Sequence, residues 1–200
     1  ITWPAGWTEI DTEDTSGTAK YSCAYRQATG SEGSNITVTT SSAEMSAHIT
    51  YRISGAEEAS TQLPEFATTA GGSSVNPDPP NIVPTGGAKD YLFIAHAGWN
   101  DGRGEVTAYP SGYGSGIGVV ADSGSGVGCA AAQLATNVSS ENPGTFTIEQ
   151  TEFWVASTVA VHPAASGPST LSTLSGVAKA NISTFDTTAL GNITSINSVT

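Results

Sequence analysis

Three histidines are the first candidates for chemistry in this chain. His48, His96 and His162 lie in or beside strand-like runs, and their spacing matches no set of metal ligands. A histidine in such a run is more often a hydrogen-bonded structural residue than a base or a ligand. The sequence has no Gly-x-Ser-x-Gly turn that would expose a nucleophilic serine. These residues therefore predict no catalytic site and a protein that is not an enzyme.

The carboxylates offer two further kinds of site. Glycoside hydrolysis needs two carboxylates that face one cleft, and calcium needs several oxygen ligands. The acidic pairs flank turns, which favours a solvated surface: Asp11/Glu13/Asp14, Glu57/Glu58 and Glu149/Glu152. The available calcium ligands lack the spacing of an EF-hand: Asp78, Asp90, Asp101 and Glu105. We predict no cofactor, and calcium is the single ion left open.

Tryptophan rings could bind carbohydrate, because an aromatic face can stack on a sugar ring. The four candidates are Trp3, Trp7, Trp99 and Trp154. Trp154 lies in a strand-like run and is predicted to be a structural core residue. Trp99 adjoins an Asn100-Asp101-Gly turn, so we predict Trp99, Asn100 and Asp101 as the exposed candidates for ligand binding.

Cys23 and Cys129 are the two cysteines, and both lie in apolar strand-like runs. Two small buried residues are the first interpretation, and a disulfide between them is the alternative. Their separation excludes a CxxC metal site.

Two Tyr-Arg pairs, Tyr25-Arg26 and Tyr51-Arg52, contain two of the three arginines in the chain. Cations are scarce here, so their place inside strand-like segments is informative. We predict that Arg26 and Arg52 are structural residues that pair with acidic neighbours.

The composition of the chain indicates the class of protein and the kind of fold that hold these residues. The chain has 200 residues, a net charge of −12 and 12% charged residues, and about one quarter of it is Ser or Thr. Such a surface repels phosphates, which argues against nucleic-acid binding. No run of 18 apolar residues is present, so no membrane insertion is predicted. Few strong helix formers and many turn residues favour β-structure.

The pattern along the chain predicts about ten short strands. They include 18–28, 34–40, 46–54, the core strand 89–97, 127–135 (a short helix being the alternative), 145–149 and 152–162. Residues 55–88 are predicted to be a long Pro-containing connection, and the ten glycines between 98 and 128 predict a mobile or irregular loop. The predicted fold is all-β, a jelly-roll-like two-sheet β-sandwich.

Two regions are predicted. Residues 1–163 form the β-sandwich domain. Residues 164–200 form a Ser/Thr-rich extension with a weak 11-residue repeat, 178–185 and 189–196. Each repeat has too few apolar residues for a core of its own, so it would be ordered by packing on other chains; a flexible tail is the alternative.

Several segments together resemble a group of tailed-bacteriophage and prophage virion proteins. They are Trp3-Pro-Ala-Gly-Trp-Thr, Ala24-Tyr-Arg with Gly30-Ser-Glu, Ser46-Ala-His-Ile-Thr-Tyr-Arg-Ile-Ser-Gly, Asn76-Pro-Asp-Pro, Asp90-Tyr-Leu-Phe-Ile-Ala, Pro143-Gly-Thr-Phe-Thr and Trp154-Val-Ala-Ser-Thr-Val-Ala-Val. In that group further strands precede the Trp-Pro segment, so we expect this domain to lack its first strands, which a removed segment or a partner chain would supply. Gly176-Val-Ala-Lys-Ala-Asn-Ile is similar to the short repeats that often end such proteins.

The resemblance implies a non-enzymatic virion structural protein on the tail (fibre or tip) or on the capsid surface. Its partners would be other virion proteins, further copies of itself and a host-surface glycan, and its location the surface of the extracellular particle. The alternatives are a secreted carbohydrate-binding module, a glycan hydrolase of sandwich fold, and an adhesin or filament subunit that assembles by strand pairing between chains.

Overall fold

The computed structural model describes residues 1–14, 20–100, 104–121, 126–164, 173–174 and 177–178. Two compact units are present, Ile1–Pro163 and Ala164–Thr200. Across the described residues the protein is all-β, with several antiparallel sheets and no helix, which is consistent with a β-sandwich.

The described residues form twelve strands, ten of them in the first unit. They are β1 (Thr8–Asp14), β2 (Lys20–Tyr25), β3 (Glu65–Phe66), β4 (Ala70–Ser74), β5 (Lys89–Asn100), β6 (Val106–Ala108), β7 (Gly114–Ala121), β8 (Val127–Val138), β9 (Thr147–Ile148), β10 (Glu152–Val161), β11 (Thr173–Leu174) and β12 (Val177–Ala178). In the second unit, β11 pairs with β12. The predicted 11-residue repeat lies outside the described residues, except for its first residue, Ala178.

A six-stranded antiparallel sheet dominates the first unit. Its order is β3-β10-β5-β8-β7, and β4 also pairs with β10. β1 with β2 and β6 with β9 make two small separate sheets. The predicted strands 89–97 and 152–162 are confirmed. The segment 127–135 is strand β8, so the helix alternative is wrong.

β5 is buried on both sides, as its continuous apolar run indicates. Its odd-numbered residues, from Tyr91 to Trp99, enter one side of the core. Ile94, from the even-numbered set, packs on the other side with Val159 of β10. Alanines occupy most of the central positions of β5 and β8, which lets the covering segments approach the sheet closely.

The first side of the sheet is covered by β6, β9 and the Pro-rich segment before β5. Phe146 and Ile148 are 0% and 1% exposed and pack against the alanines. Their backbone N–H groups donate to Pro77 O at 2.9 Å and Val75 O at 2.8 Å, which fixes the segment to the connection that precedes β5.

The described parts of the glycine-rich stretch, 98–100, 104–121 and 126–128, are largely β-structure, so for these residues the prediction of a mobile or irregular loop is wrong. β6 and β7 lie within it. A Cβ at Gly116 would lie 2.6 Å from the Tyr109 ring, and one at Gly118 would lie 2.3 Å from Val106. These glycines leave the space that side chains of another segment occupy.

The second side of the sheet is covered by the first quarter of the chain, where two predicted strands are not formed. Residues 34–40 make only an isolated bridge, Thr2 with Thr39, and residues 46–54 make no ladder. Ile49 and Tyr51 nevertheless pack on the apolar cluster around Ile94. The alternation predicted the buried face correctly, but a strand also needs a neighbouring backbone.

Candidate interaction surface

The buried His162, directly after β10, pairs with the partly buried Glu65 of β3. Nε2 of His162 lies 2.6 Å from Oε1 of Glu65, which also accepts hydrogen bonds from the Thr85 N–H and hydroxyl. Burial alone would raise the pKa of Glu65, but the hydrogen bonds from Thr85 and the histidine outweigh it and lower that pKa. In the described part of the chain Nδ1 of His162 has no hydrogen-bond partner, so no hydroxyl there completes a proton relay.

His96 lies on the second side of the sheet beneath Tyr21 of β2. The two rings stack with centroids 5.6 Å apart, and the Tyr21 hydroxyl is hydrogen-bonded to Nδ1 of His96. Burial lowers the pKa of His96 to about 4, so the imidazole is neutral at neutral pH. This contact anchors the β1–β2 hairpin to the main sheet, because it joins β2 to β5.

The predicted ligand residues Trp99, Asn100 and Asp101 do not form an exposed site in the described residues. Trp99 is 1% exposed and donates its indole N–H to Gly104 O at 3.1 Å, so the expectation of an exposed ring is wrong. Asn100 accepts the Phe153 N–H at 3.0 Å. Asp101 lies outside the described residues.

The other tryptophan in the main sheet, Trp154, is 8% exposed and donates its indole N–H to Ser74 at 3.0 Å. A Cβ at Gly72 would lie 2.7 Å from its ring, so the glycine lets β4 pair closely with β10. Trp154 thus links these two strands and leaves little ring surface for a ligand.

Cys23 and Cys129 are not joined by a disulfide, so that alternative is wrong. They lie in different sheets, Cys23 on β2 and Cys129 on β8. Burial raises the pKa of the Cys129 thiol to about 11, which lowers the fraction of reactive thiolate at neutral pH.

Three of the predicted calcium ligands, Asp78, Asp90 and Glu105, belong to no candidate metal group among the described residues. Among the described residues no group of three or more His, Cys, Asp or Glu side chains could hold a metal ion. Asp90 instead accepts a hydrogen bond from the Asn137 amide at 2.9 Å across β5 and β8. Asp101 lies outside the described ranges.

An aromatic and charged group lies at the start of the chain. Trp3 and Trp7 are half-buried and stack with ring centroids 5.6 Å apart. They flank a turn closed by a hydrogen bond from the Trp7 N–H to Pro4 O at 3.2 Å, with Gly6 at φ 86°. The Trp3 indole N–H donates to Ser22 at 2.9 Å, which fixes that ring on β2.

Arg26 borders this tryptophan turn. A Cβ at Gly6 would be 3.5 Å from Nε of Arg26, and the guanidinium lies 3.5 Å from the Glu32 carboxylate. The backbone N–H and hydroxyl of Thr29 hold the pKa of Glu32 near 2, although burial opposes them slightly. Arg26 thus has an acidic neighbour, Glu32, within its own chain.

Residues 43–54, here called the extended segment, run without a bend or turn on the second side of the sheet. From residue 44 to residue 52 every even-numbered residue is exposed and every odd-numbered residue is partly buried. Such a period of two is that of a β-strand. Arg52 is exposed on the outer face and makes no ion pair within the described residues, unlike Arg26.

The exposed large apolar side chains concentrate in the same part of the protein. Five of the eight in the described residues fall between residues 1 and 64, here called the N-terminal layer: Ile1, Ile36, Val38, Ile53 and Leu63. The other three are spread over the main sheet and its loops: Val83, Ile117 and Phe153. A layer with few backbone pairs and many exposed apolar groups is typical of a contact surface.

Comparison with protein-family models, with curated proteins and with solved structures finds no match to this chain. Among the described residues, no helix is both long and apolar enough to cross a membrane.

Proposed function

We propose that this chain is a non-enzymatic structural protein of a tailed-phage virion, exposed on the tail or capsid surface, and that it assembles through its N-terminal layer. The extended segment is the observation that supports assembly. It has the side-chain alternation of a strand, and Ile49 and Tyr51 hold it on the sheet, yet the described residues provide no neighbouring strand. A strand with an open edge can accept a strand from another chain.

The same arrangement supports a jelly-roll-like sandwich that is completed on assembly. β1, β2 and the extended segment already lie on one side of the main sheet, through Tyr21 on His96 and Tyr51 near Ile94. Added strands would turn this incomplete layer into a second sheet. The short repeats of residues 164–200 would supply further contacts between neighbouring chains in the particle.

Two measurements test this proposal. Mass spectrometry of phage particles, purified from a lysate of cells that produce this chain, should find the chain at a fixed copy number per particle. Antibody labelling in electron microscopy should locate the chain on the particle surface. Light scattering coupled to size-exclusion chromatography should show that the isolated chain associates as its concentration rises. Absence from the particles together with a monomer at every concentration would refute the proposal.

Carbohydrate binding is a second candidate, and the Trp3–Trp7 turn is the observation that favours it. Stacked indoles beside an Arg26–Glu32 pair combine an aromatic face with charged hydrogen-bonding groups. These are the two elements that sugar recognition uses. The ligand in this case would be a host-surface glycan.

A glycan array with the intact chain tests this candidate. Trp7→Ala should abolish any signal, because it removes one ring while Trp3 keeps its hydrogen bond to Ser22. Phe153→Ala is the matched control, since Phe153 is an aromatic residue that is 44% exposed on β10. An array without signal, or equal losses in both variants, would eliminate carbohydrate binding through this turn.

A further inference from the structure

The orientation of residues 44–52 is fixed by their inner side chains. Ile49 and Tyr51 pack on the cluster that contains Ile94, Val159 and Val161. The exposed side chains therefore point away from the sheet, and the backbone edges of the segment face sideways. Among the described residues, no backbone hydrogen bond joins residues 46–55 to another segment.

Pairing with an unrelated region of another copy has an electrostatic cost, since each chain carries a net charge of −12. An edge used between copies therefore needs local attraction. The extended segment has the required charges, because Glu44 and Arg52 lie on its exposed face at equal distances along the chain from His48. Ser42 donates to one oxygen of Glu44 at 2.7 Å, and the other oxygen can meet a guanidinium.

One antiparallel register makes this segment complementary to itself. If His48 faces His48 of a second copy, each Arg52 faces the Glu44 of the other copy, and Thr50 faces Ser46. On the inner face Tyr51 then meets Met45, and Ile49 meets Ala47. Opposite charges and apolar groups are thereby matched on their respective faces, which is the pattern that stabilises cross-strand pairs.

A register shifted by two residues on each chain loses this match. With Thr50 facing Thr50, Arg52 would oppose His48, and Glu44 would oppose Ala56. The charge pattern therefore favours the register centred on His48 over this shifted one. A two-fold axis there gives an isologous contact that closes as a dimer.

We propose that residues 44–52 pair antiparallel with the same residues of a second copy of this chain, about a two-fold axis at His48, with two Arg52–Glu44 ion pairs between the copies. This inference rests on the proposed assembly function and identifies its partner. It also gives Arg52 the acidic neighbour that the described residues of a single chain lack.

Charge reversal in the full-length chain tests the pairing. Arg52→Glu places two pairs of carboxylates in contact, and Glu44→Arg places two pairs of guanidinium groups in contact. Each variant alone should dissociate with a constant about 30-fold higher than that of the original chain, since two attractive pairs become repulsive. Sedimentation velocity over a concentration series gives these constants.

Mixing the two variants provides the decisive measurement. The Arg52→Glu copy would present carboxylates at both positions 44 and 52, and the Glu44→Arg copy would present guanidinium groups at both. A 1:1 mixture should therefore form heterodimers, which native mass spectrometry resolves by mass. Asp78→Arg is the matched control for Glu44→Arg, because it changes the same charge at an exposed residue in the segment on the other side of the sheet. It should leave the dimer unchanged.

Three results would overturn the pairing: a monomeric original chain, single variants that dimerise normally, or a mixture that stays unassociated. If the original chain associates but ignores these substitutions, the pairing fails and the proposed assembly function stands on another surface. If the chain is absent from purified particles but the heterodimer forms, the virion role fails and the pairing stands.

Discussion

Gly128→Ala should lower the unfolding temperature of the protein markedly, because no space exists for the added methyl group. A Cβ at Gly128 would lie 2.2 to 2.4 Å from three atoms of the Trp99 indole, whereas ordinary contact begins at 3.4 Å. The ring would have to move by at least about 1 Å. It is 1% exposed and is held by the hydrogen bond from its N–H to Gly104 O at 3.1 Å.

Overpacking of a tightly packed core costs about 1–3 kcal/mol, and a ring that is both buried and hydrogen-bonded favours the upper end. For a chain of this length, a loss of about 3 kcal/mol corresponds to a fall in Tm of about 6–12 °C. Urea unfolding followed by tryptophan fluorescence measures the free energy, and differential scanning calorimetry measures Tm.

Gly114→Ala is the matched control on the neighbouring strand β7. No atom lies within 4 Å of a Cβ at that position, and its φ is not in the left-handed region. Alanine there should be neutral or should stabilise by about 0.4–1 kcal/mol, because it restricts the unfolded chain. If the free energies of unfolding of the Gly128→Ala and Gly114→Ala variants lay within about 0.5 kcal/mol of each other, the tight packing of Trp99 against Gly128 would be refuted as the cause.

Three further predictions concern buried polar groups. Because burial lowers the pKa of His96 from an ordinary value near 6.5 to about 4, the unfolded chain takes up the proton first, and the free energy of unfolding should fall by at most about 3 kcal/mol between pH 6.5 and pH 4, and by less to the extent that the ring keeps some exposure. Urea unfolding at both pH values measures this fall. His96→Gln should lack the part of the fall that His96 causes, and equal falls in the two proteins would contradict the assignment. Glu65→Ala should destabilise by about 1–3 kcal/mol, since His162 would be left buried without its acceptor; Glu58→Ala, at an exposed residue, is the control, and equal effects would disprove the role of the pair. Cys129, with its pKa raised to about 11, should resist iodoacetamide at pH 8 in the folded protein and react after unfolding in urea, as peptide mass spectrometry would show; equal rates in the two states would contradict its burial.

Much of the main sheet could be predicted from local pattern. β5 and β10 are long apolar runs bounded by turn residues, and such runs are buried wherever they occur in a chain of this size. The boundary at Pro163 also coincides with a change in composition, from apolar strands to a Ser/Thr-rich extension. An apolar run and a change in composition are properties of residues adjacent in the sequence, so the sequence alone can predict these strands and this boundary.

The candidate surface could be predicted only in part. Alternation in residues 44–52 indicated which side chains would be buried, and it suggested a strand. Whether an extended segment becomes a strand depends on a second backbone at hydrogen-bonding distance, and no local pattern contains that information. The stacking of Trp3 on Trp7 could likewise not be predicted from the sequence, because it depends on the turn at Gly6 and on a hydrogen bond to Ser22 of a later strand.

By itself the sequence determined an all-β protein, its core strands and a net charge of −12. Only the tertiary structure decided that Trp99 is buried, that the described part of the glycine-rich stretch is largely β-structure, and that residues 43–54 join no β-ladder with another described segment. The physical reason is that exposure and order depend on what a residue meets across the fold. Gly128 makes space for Trp99, Gly118 makes space for Val106, and Arg52 meets no carboxylate among the described residues of its own chain.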